Sequence, residues 1–272
     1  MRRRPLYLVL TALVLTLAAC GSSGGSDSGS QATTTAAGAT TTEASLKGEI
    51  TVSAAASLTE AFTDMGKAFE AANPGTNVTF TFDSSGTLSQ QILDGAPVDV
   101  FASADEANMQ KLVDGDLVKD DPTVFARNRL IIITKPGNPA GISSLSDLTD
   151  AGVISLCGAD VPCGKFAAQA LDKAGVTIPE RSITRGQNAK ATLTAVSEGD
   201  AVAGIVYVTD AEAAGAAVDS VEIPDDQNVI ATYPVAVLTD TQDAAVASAF
   251  ADYVSSSDGQ ATLKDRGFLP PS

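Results

Sequence analysis

The sequence predicts an α/β protein built largely on parallel strands, and three observations carry that expectation. Strand-like segments alternate with helix-like segments through most of the chain after residue 47, the order that places helices on the faces of a sheet. The run 130–134 is apolar throughout and stops at Lys135-Pro136-Gly137, as a strand buried on both faces does. Twice, a strand runs out into small or hydroxylated residues and a helix starts at once.

Read in order, 50–54 is a strand and 58–73 an amphipathic helix that ends before Pro74-Gly75. A strand at 78–82, a helix at 87–94, a strand at 98–102 and a helix at 106–115 follow, then the apolar strand 130–134. Helices at 144–149, 165–174, 191–198 and 210–215 are interleaved with strands at 153–156 and 204–208. A strand at 235–239 and a helix at 241–255 close the pattern, and no internal repeat is visible.

The first nineteen residues have the layout of an export leader: Arg2, Arg3 and Arg4, then an apolar run from Leu6 to Ala19. That run is short for a membrane span of about 20 residues and has a cleavable end. Leu17-Ala18-Ala19-Cys20-Gly21 resembles the bacterial lipobox, which implies a lipid on Cys20 and a protein held at the outer face of the cell membrane. The segment 20–46 is mostly Gly, Ser, Thr and Ala and reads as a flexible tether with a reach of about 25 Å.

The chain holds 17 basic and 33 acidic residues, a formal charge of −16, and loss of the three leader arginines makes it −19. Nucleic acid and anionic membrane surfaces are therefore poor partners. An anionic ligand would be repelled at long range, so local donors must bind it, with salt screening distant carboxylates over about 8 Å. There is no histidine, which removes Ser-His and Cys-His catalysis, and no S-x-x-K motif; the chain is not expected to be an enzyme. Apart from Cys20, the cysteines are Cys157 and Cys163, an even pair in an exported chain and hence a disulfide candidate.

The two strand-to-helix junctions are the candidate site. In the first, Ser57 stands three residues before Glu60, the spacing of a capping box. The second is Asp83-Ser84-Ser85-Gly86-Thr87-Leu88. A helix start presents unpaired N–H groups and the positive end of the helix dipole, and so binds an anion without a cationic side chain. Each junction alone is better explained by a structural cap.

Together they resemble the periplasmic molybdate-binding proteins of ABC transporters, in Ala-Ala-Ala-Ser-Leu-Thr-Glu-Ala from Ala54 and Ser-Ser-Gly-Thr-Leu from Ser84. Further matches follow in order at 95–105, 161–164, 204–211 and 233–237. The resemblance implies a type II periplasmic-binding-protein fold, with two α/β lobes joined by a two-strand hinge and the ligand cleft between them. The hinge strands would lie near 130–134 and 233–238, with lobe 1 at 47–129 plus 235–272 and lobe 2 at 130–234. It further implies that Ser57, Ser85, Cys163, Ala189 and Tyr207 hold the oxyanion, with backbone donors at Ala56 or Ser84 beside them. Cys163 and Ala189 replace the family's commoner alanine and valine, which a main-chain donor tolerates.

The ligand implied is molybdate or tungstate, contacted through its oxygens with no direct metal coordination and no cofactor, by a monomer that delivers it to an ABC permease. Asp83 is expected to turn away from the ligand and bond to backbone or solvent. Sulfate, phosphate or a small organic acid on the same fold, or a surface lipoprotein without ligand, are the alternative readings. A ferric-ion binder would want more phenolates than Tyr207, Tyr233 and Tyr253.

Overall fold

A computed structural model describes residues 46–272. The leader at 1–19, Cys20 and all but the last residue of the tether lie outside the described residues. No helix among the described residues is long and apolar enough to cross a membrane.

The first half of the chain lays down β1 (Gly48–Ala55), α1 (Thr59–Ala72), β2 (Thr76–Asp83), α2 (Ser85–Leu93), β3 (Val100–Ala102) and α3 (Glu106–Asp114). β1 runs parallel to both β2 and β3. α1 forms because its apolar residues recur three and four apart: Ala61, Phe62, Met65, Gly66 and Phe69 are its buried positions. Gly66 is needed at its contact with β2, since a Cβ there would run into the Phe80 ring. Phe62, Phe80, Phe125 and Phe250 meet largely edge to face around this helix; Phe62, Phe125 and Phe250 are fully buried, each contributing about 1.5–3 kcal/mol.

β4 (Thr123–Thr134) begins seven residues before the expected apolar run. Beyond it come β5 (Ile154–Cys157), α4 (Pro162–Ala174), β6 (Ile183–Gly186), α5 (Ala189–Ser197), β7 (Ala203–Tyr207), α6 (Val208–Ala214) and β8 (Asp219–Glu222). β5 is parallel to β6 and to β7. β9 (Ile230–Val237), α7 (Ala244–Ser255) and α8 (Ser257–Asp265) complete the chain.

The sheet order β2-β1-β3-β9-β4-β7-β5-β6 sets one parallel group at each end and two antiparallel strands between them. β4 and β9 pair along 123–129 and 230–235. β9 then continues against β3, while 130–134 of β4 pairs with β7 on one side and β8 on the other. Leu130, Ile132 and Ile133 are fully buried there, in accord with an apolar strand covered on both faces.

Four local features depart from the sequence reading. The segment 144–149 is a 3-10 turn, Leu145–Thr149, rather than an α-helix. β6, β8 and α8 are additional to the expected elements; β6 and β8 are four residues each with no fully buried residue, too little for a periodicity to register. α8 buries only Gly259 and Leu263, and starts because Ser256 Oγ accepts the Gly259 N–H.

Candidate functional site

Within each group the parallel strands end on the same side, and the helices that follow begin there, the usual place for a ligand in open α/β sheets. β1 runs through a 3-10 turn, Ala56–Leu58, into α1. β2 ends at Asp83, and Ser84 caps α2 by accepting the Thr87 N–H at 3.1 Å. Pro162 opens α4, where its missing N–H costs nothing, so Cys163 falls in the first turn. Asn188 caps α5 through the Ala191 N–H at 2.9 Å, leaving Ala189 as its first residue. Tyr207 is the last residue of β7.

Ser57, Ser85, Cys163, Ala189 and Tyr207 all line one cavity, with Ala56 and Ser84 beside them. Its interior is about 20 Å³, slightly above the roughly 10–15 Å³ that one water needs. A larger cavity of about 560 Å³, lined by Glu49, Asp99 and Asp240 among others, lies at the opposite ends of β1 and β3 and contains none of these residues. No lysine or arginine lines the small cavity.

The donors are aimed by what stands behind them. Ser85 Oγ accepts the Ala104 N–H at 2.9 Å; since a backbone N–H only donates, the serine proton is left for another acceptor. Tyr207 is buried, and its hydroxyl has no hydrogen-bond partner among the described residues. Burial, then the nearby Tyr233 and the carboxylates of Asp105 and Asp210, push this phenol well above its ordinary value, so it stays protonated and can donate. The first-turn N–H groups of α4 and α5 have no acceptor within their own helices.

The S-x-x-E motif at Ser57 does not form a capping box. Ser57 lies inside the 3-10 turn and no side chain caps α1. Its Oγ is 2.9 Å from Tyr233 Oη, and Glu60 reaches Lys190 Nζ at 2.7 Å. The spacing was satisfied, but the extra turn rotated both side chains onto tertiary partners.

Asp83 turns onto local donors, accepting the Ser84 N–H at 2.7 Å and Asn188 Nδ2 at 2.9 Å. It remains part of the cavity wall. Asp210, one turn beyond Tyr207, is fully buried; burial pushes its carboxyl up to about 6, against the pull of Lys190 and of the Tyr207 N–H. Cys157 and Cys163 are disulfide-bonded, which ties the end of β5 to the first turn of α4. Gly164 is required beside that bond, because a Cβ would collide with the Gly158 carbonyl.

The sequence reading missed Ala104, Asn188 and Tyr233. Ala104 lies within the motif at 95–105 but carries no side-chain chemistry to mark it. Asn188 stood one residue before the named Ala189 and is a common capping residue. Among the described residues no group of three or more His, Cys, Asp or Glu side chains is placed to hold a metal ion.

Residues 50–269 match the model of the family described as bacterial extracellular solute-binding protein. The chain belongs to this family. A molybdate-binding protein ModA of Mycobacterium tuberculosis is 38% identical over 265 residues, covering 97% of each chain. The periplasmic molybdate-binding protein of Azotobacter vinelandii aligns with a TM-score of 0.73 at 21% identity, over 82% of this chain and 100% of that one. The sulfate-binding protein SubI of Mycobacterium tuberculosis aligns at 0.72 and 20% identity, over 82% and 86%. These two structures speak to the fold, and the solute-binding protein described here has the type II periplasmic-binding architecture. As a member of that family it is a binding protein rather than an enzyme.

Proposed function

We propose that this chain captures molybdate, with tungstate equally accommodated, and hands it to an ABC permease in the membrane. The observation that carries the reading is the buried Tyr207 hydroxyl without a partner, on the wall of a cavity shared with Ser57, Ser85 and two helix starts. A tetrahedral dianion that accepts every bond complements such a set, and hydrogen bonds to a charged group contribute about 1.5–3 kcal/mol each. The 38% identity to a molybdate-binding protein over nearly the whole length supports the same ligand. Ser57, Ser85 and Tyr207 then contact the anion through side-chain hydroxyls, Cys163 and Ala189 through main-chain N–H groups. No residue coordinates the metal directly.

Lobe 1 is assigned to 47–129 plus 235–272 and lobe 2 to 130–234, closing about β4 and β9. Cys20 carries the lipid and 20–46 the tether, which holds a monomeric receptor at the outer face of the cell membrane.

The test is thermal denaturation of the purified protein with molybdate, tungstate, sulfate and phosphate. A ligand at about 100 times its dissociation constant adds about 2.7 kcal/mol of stability. Molybdate and tungstate should raise the midpoint and sulfate should not; a response to sulfate alone would reassign the ligand, and no response to any of the four would end the reading.

A further inference from the structure

Tyr233 sits on β9 with its ring packed edge-on against Phe125, Tyr207 and Phe268. Its hydroxyl lies 2.9 Å from Ser57 Oγ, a contact that either oxygen could donate. The direction is set from β4. Asn128 is fully buried, and its Oδ1 accepts the Arg129 N–H at 2.9 Å, which fixes the oxygen end of the amide because a backbone N–H only donates. Nδ2 therefore donates, to Thr209 Oγ1 at 2.9 Å and, by a longer bond of 3.5 Å, to Tyr233 Oη.

With a donor facing it, the Tyr233 phenol turns its own hydrogen to the acceptor in hydrogen-bonding geometry, Ser57 Oγ. Tyr207 Oη is close by but not bonded to it. Burial pushes the Tyr233 phenol far above its ordinary value, so that hydrogen is retained. Ser57 accepts from behind and keeps its one proton for the cavity.

We propose that Tyr233 and Asn128 are positioning residues, forming a directed chain from Asn128 through Tyr233 to Ser57 that commits the Ser57 hydroxyl to donate to the bound anion. The proposal rests on the oxyanion reading above. Ser85 is oriented by the Ala104 N–H in the same sense, so both serines select a ligand oxygen that only accepts, and a protonated oxyanion is disfavoured. Because Asn128 and Tyr233 stand on the two strands shared by both parallel groups, the polarity of the site originates in the connection between them.

Calorimetric titration of sodium molybdate into the full chain tests this through two double-mutant cycles. Tyr233→Phe, which keeps the ring, should weaken binding roughly tenfold, yet less than twofold in a Ser57→Ala background. An equal loss in both backgrounds would make Tyr233 a packing residue and overturn the proposal, as would no loss at all. Asn128→Asp is isosteric and turns the Tyr233 proton toward the new carboxylate. It should weaken binding in the native background and much less beside Tyr233→Phe, where no phenol proton remains to divert. Equal losses in that second cycle would mean charge repulsion and would equally overturn the chain. Wild-type protein that is folded and takes up no molybdate would refute the oxyanion reading itself, and the positioning role with it.

Discussion

Replacing Tyr207 by phenylalanine should make the empty protein more stable and the binding weaker, two effects of one missing oxygen. The hydroxyl is buried without a partner among the described residues, and such a group costs about 1–3 kcal/mol of desolvation. Its removal leaves a small void that offsets part of the gain, so a net stabilisation of about 1 kcal/mol is expected. In a domain of this size that corresponds to about 2–4 °C in midpoint. Binding loses one bond to a charged ligand, about tenfold in affinity. Molybdate at 100 times the wild-type dissociation constant would then add about 1.4 kcal/mol instead of about 2.7. The liganded midpoints of the two proteins should therefore nearly coincide while the unliganded ones differ, which thermal scans with and without molybdate resolve. A lower midpoint for the empty variant would refute the reasoning, since it would mean that the hydroxyl is already satisfied.

Asp210→Asn should change how stability depends on pH. The native carboxyl is pushed from 3.8 to about 6 by burial, so the folded state holds its proton more tightly than the unfolded one; that contribution is complete below about pH 4 and is lost as pH rises through about 6. The asparagine variant lacks this loss, and the gap in its favour should open across that window to the order of 3 kcal/mol, less whatever Lys190 forfeits. Urea unfolding at pH 4 and pH 7 measures it, and an identical gap at both values would exclude Asp210 as the source. Breaking the disulfide with Cys157→Ser and Cys163→Ser should lower stability by about 2 kcal/mol and weaken molybdate binding through the first turn of α4; unchanged affinity by calorimetry would confine the bond to stability. Gly164→Ala should be worse than either serine variant in circular-dichroism melts, because its Cβ meets backbone rather than a movable side chain.

The part of the candidate site that was legible in sequence is the part whose chemistry is local. Ser57, Ser85 and Tyr207 each mark a strand running into a helix, and that transition is written in a few neighbouring residues. What could not be read depends on partners distant in sequence. Tyr233 reaches Ser57 across 176 positions, and Asn128 lies in Arg127-Asn128-Arg129, a polar run that resembles a loop until β9 pairs with it. The S-x-x-E spacing misled for the complementary reason: a cap is a property of the backbone at the helix start, and a 3-10 turn there moved Ser57 off the capping position while leaving the spacing intact. β6 and β8 are too short to show a period, and their strand character comes from the neighbours they pair with.

On the proposed reading an acidic protein holds a dianion and needs the carboxylates near the cavity disarmed, and three of them are handled differently. Asp83 spends its lone pairs on the Ser84 N–H and the Asn188 amide. Glu60 is paired with Lys190, and the same Lys190 Nζ stands 3.9 Å from Asp210, whose carboxyl burial has already shifted toward the neutral form. Lys190 is thus engaged with acids of the protein rather than left to pair with a ligand. On the proposed reading oriented dipoles then do the binding: two serine hydroxyls, a phenol, and the starts of α4 and α5. Dipolar donors of this kind act only at contact distance, so the distant carboxylates that set the net charge weaken capture little once salt screens them over about 8 Å. A lysine placed in the cavity would instead attract any anion of the right size, and the discrimination that comes from counting acceptors would be lost.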